Sequence, residues 1–192
     1  MIASKHVIVL ASLITIVLHS QAKVLSCEQV ASAFLTRPSE RTFIAISGVE
    51  DEACWALINS SNAELFQVIH ATARGNRWAA EYLARHMGML DGGNLEDASR
   101  ALGQFADHEM EQFLIFSHRG LLTEYRLEKA LTMLPLSLSD DPRAQLETLK
   151  RRREKVLRVR RKDLSEQRRW ALEAIDAFSA EVRSNNPETN HQ

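Results

Sequence analysis

Residues 62–87 read NAELFQVIHATARGNRWAAEYLARHM, and this stretch decides the fold class. Leu65, Phe66, Ile69 and Ala73 recur at helical spacing, so the segment from Asn62 predicts a helix with one apolar face. Gly75 stops it. Asn76 starts a second helix carrying Trp78, Ala79, Tyr82, Leu83 and Met87, which closes at Asp91-Gly92-Gly93. The same grammar runs outward in both directions. Downstream, Asn94 caps a helix with Leu95, Ala98, Leu102 and Phe105. Asp107 caps the next, with Met110, Phe113, Leu114 and Ser117, and Gly120 ends it. Thr123 opens one through Tyr125, Leu127, Ala130, Leu131 and Leu134 to Pro135. Upstream, Ser26 caps a helix bearing Val30, Ala31, Phe34 and Leu35. Ser39 opens a short helix that Gly48 closes, and acidic Glu50, Asp51 and Glu52 suit the positive end of a third, with Cys54, Trp55, Leu57 and Ile58. No segment alternates apolar and polar residues long enough for a strand. The fold expected is all-α: an antiparallel helical bundle or short α-solenoid with one disulfide.

Beyond Pro135 the pattern changes. Leu136-Ser137-Leu138-Ser139 reads as a linker, and Asp140-Asp141-Pro142 as an acidic cap followed by proline in a first turn. Arg143 to Arg183 contains neither glycine nor proline and carries Leu146, Leu149, Val156, Leu157 and Leu164, then Trp170, Ala174, Ile175, Phe178 and Val182. One helix of about 40 residues would be roughly 60 Å long. It must project, pair with a partner (a second copy making a homodimer, for example) or break, with Asp163 or Ser165 recapping it. Both the long helix and the helix pair stay open. The expected organisation is a helical domain over 23–135, a basic helix or hairpin over 136–184 packed on it, and a polar disordered tail over 185–192.

The first 22 residues predict export. Lys5 and His6 precede an apolar run from Val7 to Leu18, and Ser20 and Ala22 are the small residues of a cleavage site. That run is too short to span a bilayer. Cleavage near Ala22 leaves a chain expected to be periplasmic or secreted. In that compartment Cys27 and Cys54, the only cysteines, read as one disulfide joining the first and third helices, stabilising the fold by roughly 3–4 kcal/mol. The alternative is lipidation of Cys27, since Val24-Leu25-Ser26-Cys27 faintly follows a lipoprotein box.

Charge is unevenly placed. The 192-residue chain has a net charge of −1, yet residues 143–169 hold 12 basic against 4 acidic side chains. Such a block reads as a solvated helix face or an internal partner for the acidic remainder. The alternative is contact with an anionic lipid or cell-wall surface through Lys150, Arg151, Arg152, Arg153, Arg158, Arg160, Arg161 and Lys162. Nucleic acid does not suit an exported chain without a nucleic-acid motif. His108-Glu109-Met110-Glu111-Gln112 lacks the second histidine of a zinc-protease helix, and Asp91–Asp97 lacks calcium-loop ligand spacing. His70, beside an apolar stripe, reads as a core or boundary residue. No nucleophile elbow or phosphate loop is present, so neither metal nor cofactor is expected and an enzyme is not the leading reading.

The helix pairs over 62–90 and 94–134 resemble HEAT-like repeats, which imply a solenoid. With signal peptide, early disulfide and successive short helices, the chain also resembles, in architecture, the periplasmic immunity proteins of type VI secretion amidase effectors. That likeness implies an envelope protein that binds another protein and blocks a cell-wall-cutting toxin. The exposed turn expected to make contact carries Asp91, Glu96 and Asp97. An envelope scaffold held to an anionic surface is the alternative, and a hydrolase whose carboxylates meet only on folding is the third.

Overall fold

The computed structural model describes residues 25–49 and 51–187 of the chain. Among them lie nine α-helices and no strand: α1 (Cys27–Thr36), α2 (Glu40–Gly48), α3 (Asp51–Asn59), α4 (Asn62–Ala73), α5 (Arg77–His86), α6 (Gly92–His118), α7 (Glu124–Thr132), α8 (Pro142–Arg158) and α9 (Ser165–Asn185). The first 24 residues, on which the expected signal peptide falls, Glu50 and the last five residues lie outside the described residues. No helix among the described residues is long and apolar enough to cross a membrane.

Local capping chemistry sets most helix starts. Ser26 with Gln29, and Ser39 with Thr42, form reciprocal capping boxes at α1 and α2. Asn76 Oδ1 accepts from the Trp78 and Ala79 amides at 3.0 Å, while its Nδ2 donates to the Pro38 carbonyl and so fixes α5 against the α1–α2 connection. Asp141 Oδ1 accepts from Ala144 N, with Pro142 in the first turn of α8. The Cys27–Cys54 disulfide ties α1 to α3.

Helix α6 is the axis of the fold, in contact with α4, α5, α7, α8 and α9. It comprises the two helices expected over 94–118, which meet at a kink. Asp91 with Gly92 (φ +46°) starts it, not Asn94, and its only internal break is at Glu109 (φ −134°, ψ 60°), not at Asp107. Asp107 does not cap; its carboxylate is turned to Arg152, which donates to both oxygens at 2.9 Å each. Lys155 donates to the Asp107 carbonyl, so two cations of α8 grip α6 just before its kink.

The long C-terminal segment breaks after Arg158 and folds back, so α8 and α9 form a hairpin. Folding back buries Val156, Val159, Leu164, Ala171 and Ile175 together, which a straight helix would leave largely in water. Neither expected recapping residue acts. Asp163 binds Arg161, and Leu164 occupies the N-cap position with no side-chain bond.

The buried face of α6 includes small residues. Ser99, Gly103 and Ala106 are buried. A Cβ on Gly103 would fall 2.2 Å from the Ala130 carbonyl oxygen, so only glycine permits this approach.

Candidate functional site

Three segments converge beside the acidic turn singled out in the sequence. The 3-10 turn Met87–Met89 continues α5, the first turns of α6 follow it, and α7 closes the far side. Between them opens a pocket of about 330 Å³, close to the lower end of the roughly 300–1,000 Å³ of ligand sites. Met87, Leu90 and Ser99 are buried at its base, and Leu95 and Met133 are half-buried on its walls. The Ser99 hydroxyl donates to the Leu95 carbonyl, which spends its proton locally. Tyr125 at the rim is 59 % exposed, and Met89 of the 3-10 turn is 50 % exposed.

Two cations of α7 line the pocket, Arg126 and Lys129, three residues apart and therefore on one helix face. The Arg126 guanidinium lies over Gly88. A Cβ there would fall 2.8 Å from Nη2 and 3.1 Å from Nη1, so the glycine makes the seat. Lys129 Nζ sits 5.7 Å from the centre of the Tyr125 ring. Neither cation pairs with a carboxylate among the described residues. The one acid on the wall, Glu96, is committed to Arg100 at 3.0 Å. The uncompensated charge facing the pocket is therefore positive.

The three acids expected to make contact divide by role. Asp97, like Glu96, holds Arg100, at 2.9 Å. Asp91 is exposed at the N-cap of α6 and has neither a cap bond nor a salt bridge among the described residues. Of the eight cations named for an anionic surface, Arg152 is fully buried and cannot face solvent. Arg151, Arg153, Arg158 and Arg161 pair with Glu147, Asp176, Glu154 and Asp163. Lys150, Arg160 and Lys162 remain exposed without an acid partner among the described residues.

The histidine that matters structurally was not the one expected. His70 is exposed beside Phe66, whereas His86 is 3 % exposed and stacks on Trp55 with ring centres 4.7 Å apart. Its Nδ1 donates to the Tyr82 carbonyl at 3.0 Å, and Nε2 lies 3.5 Å from Asp51 Oδ2, an oxygen that accepts from Arg85 at 3.0 Å. Burial pushes the His86 pKa below its ordinary value despite Asp51 and Glu52 nearby, and pushes the Tyr82 hydroxyl up. The sign follows. An unfolded chain takes up a proton near pH 6.5 that the folded site resists, so His86 costs stability as pH falls below that value. The melting temperature is expected to drop from pH 7.5 to 5.5 more steeply in the wild type than in His86→Gln. Parallel profiles would clear His86 of this role.

Among the described residues, no group of three or more His, Cys, Asp or Glu side chains could hold a metal ion. Comparison with protein families, curated proteins and solved structures finds no match.

Proposed function

We propose that this chain is an exported, non-enzymatic binding protein that engages a partner protein at the pocket between Leu90, Leu95 and α7. One observation carries the reading: an apolar pocket flanked by exposed Tyr125 and lined by two cations that no carboxylate among the described residues neutralises. Aromatic, methionine and arginine side chains around a concave apolar centre are the composition of interface anchors. Asp91, exposed at the same turn, extends the contact surface. The Cys27–Cys54 disulfide supports an oxidising compartment, periplasmic or secreted. Inhibition of a secreted cell-wall-degrading effector is the role we assign within this class. The whole α5–α6 turn would dock against such an enzyme while the pocket accepts one protruding group.

The alternative, an envelope scaffold on an anionic surface, draws on Lys150, Arg160 and Lys162 alone and has correspondingly less support. A photo-crosslinking residue in place of Tyr125 tests the leading reading. It is expected to trap one envelope protein, while the same residue at exposed Ile44 does not. Equal trapping at both positions, or none at Tyr125, would reject the pocket as the partner site.

A further inference from the structure

We infer that the pocket recognises the C-terminal end of a partner chain, taking an apolar last side chain together with its free carboxylate. This rests on the pocket being the partner site and adds which group enters it. The apolar lining of Met87, Leu90, Leu95 and Met133 adjoins the cations Arg126 and Lys129. The occupant must therefore present an apolar group and a negative charge close together. Aspartate and glutamate side chains bring the charge but no apolar branch. A chain-terminal leucine, methionine or phenylalanine carries both on one carbon. Capture of a terminal carboxylate is a recurring mode of peptide recognition.

Charge complementarity sets the sign. Glu96 would repel an anion, but Arg100 neutralises it at 3.0 Å, and Asp97 is held by the same guanidinium. Arg126 and Lys129 have no such partner among the described residues. Thr123 caps α7 at the pocket edge, so the positive end of that helix adds to the field. Gly88 leaves room for the guanidinium, which a side chain there would push aside. Arginine suits the task, presenting two N–H groups to one carboxylate.

Isothermal titration of the full mature chain with acetylated tripeptides ending in leucine tests this, using a free carboxylate against the C-terminal amide, with octanoate as a third arm. The carboxylate peptide is expected to bind at least about tenfold more tightly than the amide, the scale of one charge-assisted hydrogen bond. Arg126→Gln is expected to erase that difference. Gly88→Leu, which moves the guanidinium without removing it, is expected to reduce it. Equal binding of acid and amide, no binding of either up to about 1 mM, or a difference that survives Arg126→Gln would overturn the inference. Octanoate binding as tightly as the peptide would overturn it too, pointing to a fatty acid. These failures are separate from failure of the partner site. A Tyr125 adduct that persists when the carboxylate peptide does not bind keeps the pocket as interface and removes only the chain-end assignment.

Discussion

Arg152→Met is expected to lower the unfolding free energy by about 3–5 kcal/mol, the cost of breaking a buried ion pair from one side. Arg152 is fully buried, and its Nε and Nη2 each lie 2.9 Å from Asp107. Nη1 donates to the Leu131 carbonyl at 2.6 Å, near the C-terminal end of α7. Methionine keeps most of the volume, so the loss reports the unpaired carboxylate and the abandoned carbonyl. For a chain of this size the melting temperature should fall by roughly 6–20 °C. Arg152→Lys is expected to recover only part of the loss, since an ammonium cannot bridge both carboxylate oxygens and reach Leu131. In a double-mutant cycle, adding Asp107→Leu to Arg152→Met should restore a substantial share. Additive losses would show that the two side chains are not coupled.

Gly103→Ala inverts the usual rule for helices. On propensity alone, alanine at a mid-helix glycine should stabilise by about 1 kcal/mol. Here the new methyl group would sit 2.2 Å from the Ala130 carbonyl oxygen and 3.1 Å from Arg152 Nη2. Helices α6 and α7 would have to separate, at a cost of about 1–3 kcal/mol or more. Gly93→Ala is the internal control: the same helix, with nothing within 4 Å of the new carbon. Chemical denaturation is expected to show a loss for the first and a neutral or small gain for the second. A gain at position 103 would mean that the α6–α7 crossing is looser than described.

Much of this fold was legible because its determinants are local. Ser26, Ser39, Asn76, Thr123 and Asp141 cap helices where their side chains and the following apolar spacing predict, and Gly75 and Gly120 stop them. What was not legible depends on residues far apart in the chain. Asp107 looks like a cap until Arg152, 45 residues later, takes its carboxylate. The break between α8 and α9 carries no glycine or proline; it is set by burial of Leu164 and Ile175 against the rest of the core. The acidic turn was visible, but not the cations opposite it, because Arg126 and Lys129 reach the pocket only when α7 folds back on α6. Gly88 offered a signal of a kind: it has ordinary backbone angles, so its value is the space above it.

We propose that a partner protein is held at this pocket. The most direct test is the affinity of the partner trapped at Tyr125 for the wild type and for Arg126→Glu. Arg126 has no hydrogen-bonded or ionic side-chain partner among the described residues, so reversing it should leave the melting temperature within about 2 °C, the scale of a surface substitution. A loss of affinity of at least about tenfold, close to 1.4 kcal/mol, is expected. An affinity unchanged by the reversal, in a variant that still melts like the wild type, would contradict it.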